Sequence, residues 1–163
     1  LFEQKITNSF FLKNVCEEKS LRDINKYRAI QGSTIASLEN KFGKDDPLVL
    51  ERKKFYTLIQ VAHLEFLEKR IESCNDSIDI LIFFYSNKEE DVGASGNVGE
   101  LLDVVWNRNQ NLQIYSFDYF LDSDLIELLK EKYSIEDYPV VLNRYGKKVV
   151  SPGNINKIEE LLD

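Results

Sequence analysis

Apolar residues recur at helical spacing along two long stretches of the N-terminal half. Between Ser20 and Phe42 they fall at Leu21, Ile24, Ile35, Leu38 and Phe42, and only Gly32 disfavours a helix. Ser20, with Asp23 three residues on, predicts the N-cap, and Gly43 predicts the C-terminal stop. Asp45-Asp46-Pro47 predicts a turn, then a cap and a proline at the first helical position. The second helix is expected over 47–73, with Leu48, Phe55, Leu58, Ile59, Ala62, Phe66 and Ile71 as its apolar stripe. Arms of about 25 residues are roughly 40 Å long. Residues 20–42 and 47–73 therefore predict a long antiparallel α-helical hairpin. Upstream, Phe2, Ile6 and Phe10 at i, i+4 and i+8 predict a short helix over 2–15.

Past residue 76 the pattern changes to alternating strands and helices. Ile78–Tyr85 is apolar apart from Asp79, as in a strand buried on both faces. A charged and glycine-bearing loop follows, then a helix expected from about Asn97 to Arg108 with Val98, Leu101, Leu102 and Val105. Trp106, the only tryptophan, lies at i+4 from Leu102 and reads as core, with a binding anchor as the other reading. LQIYSF (112–117) predicts a second strand, and Asp122 or Ser123 caps a helix that ends at Lys132-Tyr133. Val140-Val141-Leu142, a turn at Asn143-Arg144-Tyr145-Gly146 and the segment 147–150 predict a β-hairpin. A last helix is expected over 154–162. The order βαβαββα implies a right-handed parallel crossover with an antiparallel edge. Two regions result, 1–75 and 76–163.

The cysteines add a constraint on the hairpin. Cys16 lies 29 residues before Asp45, and Cys74 lies 29 residues after it. In a hairpin that turns at Asp45 they meet at the open end, where a disulfide would staple the arms. Two unrelated buried thiols are the plainer alternative. A staple implies an oxidising, extracytoplasmic compartment: periplasmic, cell-surface or secreted. Two cysteines and one histidine, His63 in mid-arm, lack the usual metal-ligand spacing, so neither metal nor cofactor is expected. Arg28 and Gln31, polar positions midway along the first arm, are places for a buried or partner-facing contact. A hairpin this long exposes apolar surface unless it packs on something, which makes a homodimer through it an expectation.

Charge sharpens the division. Residues 1–75 hold 13 basic and 11 acidic side chains, residues 76–163 hold 8 and 17, and the whole chain carries −7. An acidic balance argues against nucleic acid as a partner. No apolar run approaches the roughly 20 residues that span a bilayer. The chain lacks methionine and starts at Leu1, compatible with an upstream signal or membrane anchor. Lys88-Glu89-Glu90-Asp91, with Asp76 and Asp79, offers carboxylates for calcium but no loop spacing for it, and reads as solvated. Gly93-Ala94-Ser95-Gly96 lacks the Gly-Lys-Ser/Thr end of a phosphate loop. Asn75-Asp76-Ser77 fits the glycosylation sequon.

The segment KEKYSIEDYPVVLNRYGKKV, with Tyr138-Pro139 ahead of the β-hairpin, resembles the thioredoxin family, where a cis-proline stands at that point. GELLDVVW is similar to that family's first helix, and IYSFDYF to its second strand. The resemblance covers about residues 77–163 and implies a thioredoxin-like mixed sheet. It places the family's two active cysteines at Val92 and Ser95, where no thiol exists. Thiol–disulfide exchange needs a thiolate activated by the helix N-terminus. Valine does not ionise, and serine has no histidine near it in sequence to act as base.

The implied remnants of that site are a helix N-terminus near Ser95 and Gly96 and a backbone edge at Tyr138-Pro139. Such an edge pairs with an extended chain by short β-augmentation. Tyr138-Pro139 shaping the turn alone is the other reading. The chain is thus expected to be a non-catalytic thioredoxin-like binding or scaffolding module, not an enzyme. A protein or peptide partner would meet Tyr138, Pro139, Ser95 and Gly96 or the hairpin face. Two alternatives stand beside it. One is a thiol–disulfide oxidoreductase using Cys16 and Cys74, the other a cytoplasmic adaptor with free thiols.

Overall fold

The computed structural model describes residues 15–163, and these divide into two compact units at the boundary between Ser77 and Ile78. The expected helix over 2–15 lies almost wholly outside the described residues. The first unit is a helical hairpin of α1 (Glu18–Phe42) and α2 (Pro47–Cys74). Its turn follows the sequence chemistry closely. Gly43 at φ 90° ends α1, its N–H donating to the Glu39 carbonyl. Asp46 caps α2 by accepting the Leu48 N–H at 2.9 Å, with Pro47 opening the helix. The start of α1 differs from the expected one: Glu17 is the N-cap, and Ser20 is buried inside the helix rather than capping it. The Arg70 guanidinium donates to the Val15 and Glu17 carbonyls and so holds the earlier start.

The arms meet in one antiparallel register. Cys16–Cys74, Glu18–Arg70, Asn25–His63 and Glu39–Lys53 all join residues whose numbers add to between 88 and 92. The α2 stripe read from the sequence is corrected on this point. Leu48 and Leu58 are exposed, and the residues turned inward include Lys53, Thr57, Gln60, His63 and Arg70. Val49, Lys53, Thr57, Gln60, His63, Leu67 and Arg70 recur at three- and four-residue steps, so helical geometry aligns them along one side of α2. Lys53, His63 and Arg70 each find a polar partner on α1 or in the segment before it. Lys53 pairs with Glu39 at 2.9 Å, and Arg70 Nη2 with Glu18 at 3.0 Å. Gly32 lies where a Cβ would come within 3.0 Å of the Tyr56 hydroxyl, so its small size lets the arms approach there.

The second unit comprises β1 (Asp79–Tyr85), α3 (Val92–Arg108), β2 (Leu112–Asp118), α4 (Asp124–Tyr133), β3 (Val140–Asn143), β4 (Lys148–Val150) and α5 (Ile155–Glu159). The four strands form one mixed sheet in the order β2-β1-β3-β4. β1 and β2 are parallel, while β1–β3 and β3–β4 are antiparallel. That order and these directions are compatible with the thioredoxin-like arrangement the sequence resembles. β1 is buried throughout its middle, so both of its faces carry core residues. Leu81 and Phe83 join Val98, Leu102 and Val105 of α3 and Ile158 of α5 in one apolar cluster. The β3–β4 turn uses Gly146 at φ 87°, a left-handed position that favours glycine. Two expectations fail here. α3 starts at Val92, five residues before Asn97, and Trp106 is 53% exposed. The buried line of α3 is Ser95, Val98, Leu102 and Val105, and it leaves Trp106 outside.

Candidate functional site

The C-terminal ends of β1 and β2 and the start of β3 converge at one end of the sheet. Phe84 pairs with Phe117 on one side and Val140 on the other, and the Tyr119 N–H donates to the Tyr85 carbonyl at 2.9 Å. The Tyr138-Pro139 peptide bond is cis, and Pro139 is buried. The Pro139 carbonyl accepts the Ser151 N–H at 2.8 Å, which ties it to the end of β4.

A short polar network fixes the loop between β1 and α3. The buried Ser86 donates its N–H to Ser95 Oγ at 3.0 Å and its hydroxyl to Asp91 Oδ2 at 2.7 Å. Ser86 Oγ in turn accepts the Lys88 N–H at 3.2 Å. The Asp91 carbonyl accepts the Ser95 N–H, closing the first turn of α3. These bonds explain the early helix start despite Gly93 and Gly96. They also define what occupies the two positions where the resembling family carries thiols. Val92 is exposed at the first helical residue, and Ser95 is buried with its hydroxyl committed to the Ser86 amide. Gly96 is exposed within the helix rather than at its N-terminus.

Tyr138 lies in a cluster of three rings that the sequence reading did not assemble. Its centroid is 4.6 Å from that of Tyr119 and 4.9 Å from that of Phe120, and the latter two are 5.0 Å apart. Phe120 stands edge-on to both tyrosines. Such tilted and perpendicular contacts set positive ring edges against negative ring faces. The Asp118 carboxylate shapes the turn that presents Phe120, accepting its N–H at 3.1 Å and the Asn87 amide at 3.3 Å. Two ammonium groups lie on the cluster: Lys88 Nζ 3.4 Å from the Phe120 centroid and Lys130 Nζ 4.2 Å from that of Tyr119. The Tyr138 phenol is held above its ordinary pKa by desolvation, then by the negative groups of Asp91, Tyr119 and Glu90. The signal that could have revealed Tyr119 and Phe120 was the aromatic density of IYSFDYF, whose last two residues directly follow β2.

The cysteines are in the other unit. Cys16 and Cys74 form a disulfide that joins the base of α1 to the end of α2, with Cα atoms 5.5 Å apart. Cys16 is exposed and Cys74 half-buried. Arg70 bonds the carbonyls on either side of Cys16 and the carboxylates of Glu18 and Asp76, the latter at 2.5 Å. Arg28 and Gln31 are half-buried on α1. Among the described residues no group of three or more His, Cys, Asp or Glu could hold a metal ion. Asp76 pairs with Arg70, and Asp79 accepts the Asp163 N–H. Asn75 of the sequon is exposed at the left-handed C-cap of α2. No helix among the described residues is long and apolar enough to cross a membrane. No family model, curated protein or solved structure matches the chain.

Proposed function

We propose that residues 78–163 are a thioredoxin-like domain without redox chemistry, acting as a binding module in the same chain as a disulfide-stapled helical hairpin that serves as a scaffold. The observation that carries this reading is the pair Val92 and Ser95 in the first turn of α3. One cannot ionise, and the other spends its hydroxyl on a buried backbone amide. The sheet end that a redox protein would use for exchange is left with a cis-proline and an aromatic surface. An extended protein or peptide segment is the partner this surface suits, by short backbone pairing next to Tyr138. The crosslink between Cys16 and Cys74 is consistent with an oxidising location outside the cytoplasm.

The exposure of Cys16 favours one other reading, a thiol–disulfide oxidoreductase working through the Cys16–Cys74 pair. An insulin-reduction assay with dithiothreitol separates the two. The binding-module reading expects turnover no faster than dithiothreitol alone, equal for the native protein and the Cys16→Ser/Cys74→Ser variant. Turnover lost in that variant would establish the oxidoreductase instead.

A further inference from the structure

The ring cluster beside Pro139 holds cations of its own, and the two are held differently. Lys130 is anchored by Glu127 at 2.6 Å and by the Tyr119 carbonyl at 3.2 Å as well as by the Tyr119 ring. Lys88 is exposed, and three carboxylates, Glu89, Glu90 and Asp91, follow it directly in the chain. Among the salt bridges of the described residues it takes part in none, and its ammonium rests on the Phe120 face. A ring face attracts a cation through its quadrupole. Phe120 remains 40% exposed, so part of the side chain is open to a competitor. The surroundings favour a cationic one. Residues 78–163 hold 16 acidic and 8 basic side chains, and Glu90 and Asp91 lie close enough for their charge to act on the Tyr138 phenol.

Building on the peptide-docking reading above, we propose that this cluster selects extended peptide segments bearing a lysine or arginine side chain, whose cation replaces that of Lys88 on the Phe120 ring. Lys88 is then a built-in competitor, an internal copy of the group the site recognises. Its place on the loop between β1 and α3 lets the side chain swing into solvent when the partner arrives. Backbone pairing next to Tyr138 supplies general affinity, and the aromatic face supplies the preference for positive charge.

The test is an amide-spectrum titration of the full ¹⁵N-labelled protein with two blocked pentapeptides, Ala-Val-Lys-Val-Ala and its norleucine analogue. The lysine peptide is expected to shift the amides of Tyr119, Phe120 and Tyr138 and to bind about three- to fivefold more tightly than the analogue at low salt. The preference should shrink in about 0.5 M salt, where the Debye length falls below 5 Å or so. Phe120→Ala should erase it. Lys88→Ala should tighten the lysine peptide and leave the norleucine peptide unchanged. Both changes fall on exposed side chains, and the spectrum itself reports whether the fold is kept. Equal binding of the two peptides overturns the cation preference while leaving the peptide site standing. No shift from either overturns both readings. Weaker lysine-peptide binding in Lys88→Ala, or tighter binding of a glutamate analogue, makes Lys88 a contributor of positive charge and also overturns the proposal.

Discussion

His63 shows how a single side chain in the hairpin sets a pH limit on the fold. It is fully buried, with Nε2 2.6 Å from Asn25 Oδ1. A carbonyl oxygen accepts, so Nε2 carries the proton of the neutral ring. Burial, and then the charge of Arg28, lowers its pKa from 6.5 to about 3. The unfolded chain therefore binds a proton between those values that the folded chain refuses. Stability from this residue is complete above about pH 6.5 and is lost as pH falls towards 3, with about 2 kcal/mol gone by pH 5. Urea midpoints measured from pH 7 to 4 should fall in the native protein and fall less in His63→Gln. Ser95 makes a second case. Ser95→Ala leaves the buried Ser86 N–H without its acceptor and should cost about 1–3 kcal/mol, read as a lower urea midpoint. A change within error would show that another group accepts that amide.

The hairpin and α3 are instructive because their bounds come from different sources. The turn of the hairpin is local chemistry: a left-handed glycine, an aspartate cap and a proline within five residues. The spacing of Cys16 and Cys74 around Asp45 follows from it, because two antiparallel helices of equal rise bring equidistant residues together. Closing a loop of this length stabilises by roughly 4 kcal/mol in the chain-entropy account. Cys16→Ser/Cys74→Ser should lower the unfolding free energy of the hairpin by an amount of that order, read from urea denaturation, even though Arg70 still bridges the same end. The start of α3 was not legible in this way. Glycines at 93 and 96 disfavour a helix locally, and the bonds among Ser86, Asp91 and Ser95 that overrule them form only when β1 is in place. The inward side of α2 was misread for a related reason. Its lysine, glutamine, histidine and arginine look solvent-facing until Glu39, Asn25 and Glu18 of α1 stand opposite.

Two units with separate cores should respond separately to reduction. The crosslink belongs wholly to residues 1–77, and the sheet to residues 78–163. Amide exchange in the presence of a strong dithiol should accelerate over residues 18–74 and leave residues 79–159 protected, since nothing in the sheet depends on a sulfur. Equal acceleration across both would show that they unfold as one body. The charge division runs the same way, a net positive first region and an acidic second one. It gives the second unit negative surroundings, which favour the cationic partner proposed above.

Within the described residues, periodicity and turn residues were enough to specify which segments are helices and which are strands, their order, and the symmetric placing of the cysteines. Each of these depends on neighbours within a few residues or on the constant rise of a helix. The Tyr119–Phe120–Tyr138 cluster, the Lys88 ammonium on it, the committed hydroxyl of Ser95 and the polar seam of the hairpin were decided only by tertiary structure. They join residues from separate elements, brought together by parallel pairing of β1 with β2, antiparallel pairing of β1 with β3, and the register of α1 on α2. A polar or aromatic side chain carries no mark in the sequence of which partner will stand opposite it. That choice is made when the backbone closes around it and an unpaired buried group becomes costly.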